Sequence, residues 1–223
     1  MAAKKNQREV SAGSQRRLAL CRVITKCGLI FANIFYRDDG NEIRMRFLLR
    51  LKHWQLFFIT WGIPIAINIY TFSKPALMVK LFPIMMIVFI IGIFGWIWAI
   101  STQLHKKLPM EVNLNIKGFK MIFSVPIFYT LALTLWMGYQ FYFRFPEGSD
   151  NIGPIISVVA FFHFVSMICI LLGLRFAAQT LRSVELGRLA KFSDYAIEFI
   201  LIWFSPIGFW ILQPRLNRLI GKR

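Results

Sequence analysis

His163 stands in the run Phe161-Phe162-His163-Phe164, and Glu198 in Phe192-Ser-Asp-Tyr-Ala-Ile-Glu-Phe-Ile-Leu-Ile-Trp203. An imidazole and a carboxylate set in long apolar stretches could transfer a proton or hold an ion at a depth where water is scarce. Asn68, inside another apolar run, and Arg175, at the end of the one holding His163, complete the candidate intramembrane polar or ion-pair residues. A structural role competes with the chemical one. A neutral histidine bonded to a neighbouring helix needs no reaction, and no second His, Asp or Glu lies midway along another run to form a relay or metal pair. The structural role is therefore favoured for His163. Arg175 ends one run and Glu198 begins the next, so the two are expected to form an ion pair or to bridge through a hydroxyl. Otherwise each snorkels separately to water.

Catalysis finds little else to use. His53, His105, Glu111 and Glu185 could meet only on the cytoplasmic surface, and the chain has no His-x-x-x-His or Asp-rich signature. Cys21, Cys27 and Cys169 form no Cys-x-x-Cys and are expected to be reduced and structural. No catalytic residue, cofactor or metal ligand is assigned.

The elements that must carry these side chains follow from composition. Of 223 residues 57% are hydrophobic and 17% charged, where a soluble domain has about 25% charged. The charge sits in short blocks between continuous apolar runs, whereas barrel strands would alternate. Only helices then satisfy the backbone in lipid, so the fold class is all-α, a polytopic helical membrane protein. Four transmembrane helices are expected at 55–72, 81–100, 119–141 and 155–174. A fifth hydrophobic segment, 196–213, is broken by Ser205-Pro206-Ile207-Gly208 and either spans or re-enters. Kinks are expected at Gly62 and Pro64 and near Pro126. Asn68 needs a partner on another helix, and the hydroxyls of the third span are expected on backbone or neighbouring helices. Between the second and third spans, Met110, Val112, Leu114 and Ile116 alternate with polar residues. That period of two predicts an extended segment that skims the membrane or offers an edge to a partner.

Residues 1–53 form a separate basic region before a membrane domain at 54–223. Its first 14 residues are predicted to be disordered, and Gln15–Tyr36 shows an amphipathic helix pattern suited either to the membrane surface or to packing on the protein's own loops. The net charge is +17. Without any aromatic-and-basic binding module, nucleic acid is not the expected partner. The basic residues are expected instead on anionic headgroups, with Arg16, Arg22, Lys26, Arg46, Arg50, Lys106 and Lys107 as contacts. Basic blocks at 1–53, 102–118 and 175–194 place the N-terminus and those loops in the cytoplasm. A fifth full span would carry Arg215, Arg218, Lys222 and Arg223 outside against that rule, which favours a re-entrant or in-plane hairpin. No cleavable signal peptide is read at the N-terminus. Its Arg-rich, acid-poor composition also describes a mitochondrial presequence, which makes the mitochondrial inner membrane a minor alternative.

Two further stretches bear on kinship. Leu181-Arg-Ser-Val-Glu-Leu-Gly187, with the run from Phe192 to Asn217, and Gly95-Trp-Ile-Trp98 followed by Lys106-Lys-Leu-Pro109, resemble an uncharacterised family of multi-pass inner-membrane proteins of Bacteroidota. The resemblance covers about residues 81–218. It implies a bacterial inner-membrane protein and carries over no activity, cofactor or site residue. The expected function is a non-catalytic membrane scaffold or accessory subunit, binding anionic lipid and other membrane proteins or a second copy of itself. A small oligomeric transporter or channel using His163, Asn68 and Glu198 is the alternative, and a membrane-embedded enzyme ranks last.

Overall fold

A computed structural model describes residues 47–143 and 153–221. The expected surface helix at Gln15–Tyr36, the contacts Arg16, Arg22, Lys26 and Arg46, Cys21 and Cys27, and the loop at 144–152 lie outside these residues. Every regular element among the described residues is helical. A helical turn at 47–50 leads to α1 (His53–Phe57), a π-helical turn (Phe58–Gly62) and α2 (Ile63–Thr71). Three long helices follow: α3 (Pro75–His105), α4 (Ile116–Phe143) and α5 (Gly153–Leu186). Two shorter ones close the chain, α6 (Phe192–Trp203) and α7 (Ser205–Gly221).

Three helices are long and apolar enough to cross a membrane, over Lys80–His105, Ile116–Gln140 and Ile156–Leu186. At 31, 28 and 34 residues, α3, α4 and α5 reach ~40–50 Å, well beyond a ~30 Å hydrocarbon core. Their surplus length builds a polar end to the bundle. The stretch expected as a first span is the α1–π–α2 path. Pro64 has no N–H to donate, and the chain answers with a wider turn: the Ile63 N–H reaches back five residues to the Phe58 carbonyl.

The order of contacts gives the topology. Thr60 meets Gly92 and Asn68 meets Met85, so α2 and α3 run antiparallel. Gly92 is required there, since a Cβ would lie 2.5 Å from Thr60 Oγ1. Phe94 packs on Phe123 and Trp98 on Phe119, which reverses α4 against α3. Phe119 stacks on Phe176 with centroids 4.6 Å apart, while Tyr129 reaches Val159 farther along, so α5 is antiparallel to α4. Trp98, Phe119, Phe123 and Phe176 thus form one aromatic layer near the polar end.

Burial falls steeply across the three long helices. The most apolar window of α3 is 61% buried inside the protein, that of α4 33% and that of α5 only 11%. α3 is therefore the central helix, and α5 presents most of its apolar face outward.

The alternating stretch before α4 forms no strand. Residues 112–115 have no regular secondary structure, and the Ile116 N–H turns back to the Leu114 carbonyl at 2.9 Å. Val112 is buried, Met110 fully exposed, and His105 Nε2 donates to the Leu114 carbonyl at 2.9 Å. The loop is folded onto its own bundle by that bond.

The broken C-terminal segment is two helices. The backbone leaves the helical region at Phe204 (φ −85°, ψ 61°), and Ser205-Pro206 restarts it, proline being acceptable in a first turn. Near the bend a Cβ at Gly208 would lie 2.0 Å from the Leu201 carbonyl oxygen. Farther from it Glu198 meets Arg215. The arms therefore lie back against each other as a helical hairpin. They hold 12 and 17 residues, more than the sequence breaks suggest, and neither is among the helices long and apolar enough to cross.

Candidate functional site

The polar end of the bundle concentrates the charged chemistry of the described residues. α5 ends at Gly187, whose φ of +66° is the left-handed conformation that closes a helix at low cost with glycine. The chain then turns back: Ser183 Oγ accepts the Ala190 N–H at 3.0 Å, and Gln179 donates to the Ala190 carbonyl at 3.1 Å. α6 starts with the Asp194 carboxylate accepting the Lys191 N–H at 3.0 Å and an ion pair from Arg188 at 3.1 Å. The Lys191 N–H, helped by Arg188, holds the Asp194 carboxyl below its ordinary range.

The hairpin sets Arg215 between two acids. Its guanidinium donates to both oxygens of Glu185, Nε to Oε1 at 3.1 Å and Nη2 to Oε2 at 2.6 Å, and Nη2 also reaches Glu198 Oε1 at 3.1 Å. Arg182 adds a bond to Glu185 at 2.9 Å. Burial alone would lower the Arg215 guanidinium, but its bonds to Glu185 and Glu198 outweigh that and raise it. The forked geometry suits arginine and not lysine. Two acids and two arginines make the cluster neutral, and it fastens α5, α6 and α7 together.

Beside it, Gln213 is fully buried and works as a clamp. Its Oε1 accepts the Trp96 indole N–H at 2.8 Å. Its amide nitrogen lies 3.0–3.1 Å from the carbonyls of Leu48, Leu49 and Leu51, at the end of the turn before α1. Asn217 adds a longer bond to Leu51, and Lys107 donates to the Leu219 carbonyl at the end of α7. The final helix is thus bonded to the chain before α1 and to the chain after α3.

The sequence-derived residues do not converge. Asn68 bonds its own helix at the Pro64 carbonyl (2.9 Å) and approaches the Met85 sulfur of α3 (3.7 Å). His163 is exposed on α5 with its ring 6.0 Å from that of Tyr129. The expected partnership of Arg175 with Glu198 resolves into two separate ones. Arg175 Nε donates to the Tyr195 hydroxyl at 3.1 Å, while Glu198 turns to Arg215. Register explains this, because Tyr195 faces Arg175 and Glu198 lies one turn farther along α6. Among the expected headgroup contacts, Arg50, Lys106 and Lys107 are exposed, and Lys107 donates to the Leu219 carbonyl at the end of α7. The third-span hydroxyls bond backbone as expected: Ser124, Thr130 and Thr134 to carbonyls of their own helix, and Tyr129 to Val159 of α5.

Sequence reading missed Gln213, Arg215, Glu185 and Tyr195 as the centre of this end. One signal was available. A chain with only 10 acidic residues against 27 basic gives each acid next to an apolar run a strong pull on some arginine.

Among known proteins, no family model, no curated protein and no solved structure matches this chain.

Proposed function

We propose that the chain is a multi-pass protein of a bacterial inner membrane, of the Bacteroidota type, acting as a non-catalytic scaffold or accessory subunit. It holds anionic lipid at its basic end and offers α5 to other membrane helices or to a second copy of itself. The observation that carries this reading is the open face of α5. Phe161, Phe162, Phe164 and Ile168 are exposed around His163, which makes no hydrogen bond among the described residues. An imidazole at that depth is costly against lipid tails and is satisfied by a polar group on a neighbouring helix.

The same reading takes α1, the π turn and α2 as a fourth span, since 53–71 reaches ~28 Å at a helical rise. The N-terminus is then cytoplasmic. α7 is bonded both to Leu48–Leu51 and to Lys107, so the hairpin and the C-terminus share that side. Arg50, Lys106, Lys117, Arg188 and Arg218 at the same end agree with the positive-inside rule.

Native mass spectrometry of the detergent-purified full chain tests the proposal. The expected species is larger than one chain and retains phosphatidylglycerol in preference to phosphatidylcholine. A lone monomer without lipid preference overturns it.

A second reading, an oligomeric transporter or channel, has one observation in its favour: Glu198 Oε2 is buried with no partner among the described residues. Ion flux in liposomes that is unchanged by Glu198→Gln and His163→Ala removes that reading.

A further inference from the structure

We propose that the cleft between the start of α4 and the outer part of α5 is a binding site for one anionic phospholipid, with its phosphate on Arg175 and an acyl chain along Ile122 and Leu172. This rests on the anionic-lipid reading above and narrows it to one place on the molecule.

The cleft has a volume of about 280 Å³, enough for a phosphate and the first methylenes of a chain whose remainder lies in the bilayer. Its lining changes character along its length. Phe119, Ile122 and Leu172 supply an apolar wall at one end, and Asn115, Arg175 and Gln179 supply a polar one at the other. The change falls where the apolar run of α5 stops, at Leu174, so the boundary in the cleft coincides with the boundary of hydrocarbon and headgroups. Leu172 is 42% exposed, leaving the apolar wall open sideways to lipid. A Cβ at Gly173 would lie 2.1 Å from the Phe123 ring, so glycine there lets α4 and α5 approach closely beside the cleft.

Arg175 is an exposed cation with donors to spare. Only its Nε is engaged, by Tyr195, which fixes the plane of the guanidinium. The two terminal nitrogens have no acceptor among the described residues, and a phosphate takes such a pair side by side. No acid lines the cleft, since Glu185 and Glu198 are both held by Arg215. Gln179 and Asn115 already serve the fold, Gln179 on Ala190 and Asn115 on the Gly118 N–H. Arg175 is thus the headgroup ligand and the other two shape the wall. A soluble anion would use Arg175 but leave the apolar wall without a role, and this favours a lipid.

The test uses the full chain stripped of lipid in detergent and titrated with phosphatidylglycerol, phosphatidylcholine or inorganic phosphate, with bound lipid counted by native mass spectrometry. One tightly held phosphatidylglycerol per chain is expected. Arg175→Ala should weaken it about tenfold, the effect of losing one charge-assisted contact. Leu172→Trp, which fills the cleft and keeps every charge, should weaken it as much, and it decides the matter should Arg175→Ala fail to fold. Wild-type preference for phosphatidylglycerol that survives both substitutions overturns the cleft and leaves the general lipid reading standing. No preference in any variant overturns both. Displacement of the lipid by millimolar phosphate would show a plain anion site and overturn the acyl-chain assignment.

Discussion

Arg215→Leu would leave Glu185 and Glu198 facing one another without their shared cation. Removing the cation of a half-buried pair costs about 1–3 kcal/mol, less than for a fully buried one because solvent screens it, so the melting temperature of the purified protein should fall by several degrees. Glu198→Gln on the same background should recover part of that loss, a non-additivity that a double-mutant cycle reads directly. Gln213→Leu is expected to cost about 3 kcal/mol, because the Trp96 N–H and the Leu48–Leu51 carbonyls lose their partner together. The same thermal melt measures it. Neither role was legible in the sequence. Gln213 and Arg215 flank Pro214 at the end of an apolar segment, where polar residues ordinarily mark the return to water. What makes them central is which carbonyls and carboxylates the packing brings to them, and spacing along one helix carries no such information. Asn68, expected to need a partner on another helix, bonds the Pro64 carbonyl of its own helix and only approaches the Met85 sulfur of α3.

At the scale of elements, α6 is tied down at its start by the Asp194 carboxylate. Its folded-state pKa is lowered by the Lys191 N–H and by Arg188, so its contribution is present above the ordinary carboxylate range. That contribution erodes as pH falls through the range and is lost below the lowered value. Protection of the Lys191 amide against hydrogen exchange should therefore decline on acidification below about pH 4, and Asp194→Asn should show the acid behaviour already at neutral pH. The helices themselves were largely readable. Continuous apolar runs fixed α3, α4 and α5 near their observed cores, and Ser205-Pro206 marked the bend between α6 and α7. Their true lengths were not readable, because charged and polar residues continue each helix beyond its apolar run without breaking its backbone pattern. The π turn was expected only as a kink: Pro64 announces a missing hydrogen bond, and the way the chain absorbs it depends on Thr60 fitting against Gly92.

For the whole molecule, the hairpin and the position of α7 predict a cytoplasmic C-terminus. A phosphatase reporter fused after residue 223 should be silent and a fluorescent one bright, and the reverse result would make 196–213 a crossing segment. Charge alone leaned this way from the sequence, and the bonds from α7 to Leu48–Leu51 and to the 105–107 turn now give a physical reason. Those bonds also set a timetable for synthesis. The Leu48 carbonyl and its partner on Gln213 are 165 residues apart, and at 5–20 residues per second a ribosome takes roughly 10 to 30 s to cover that distance. Throughout that interval the Leu48 carbonyl is made but not yet capped, and the indole of Trp96 waits over the last 117 residues of it. A nascent chain halted before Gln213 would hold both groups without the side chain that joins them, so α7 is what closes this end of the bundle.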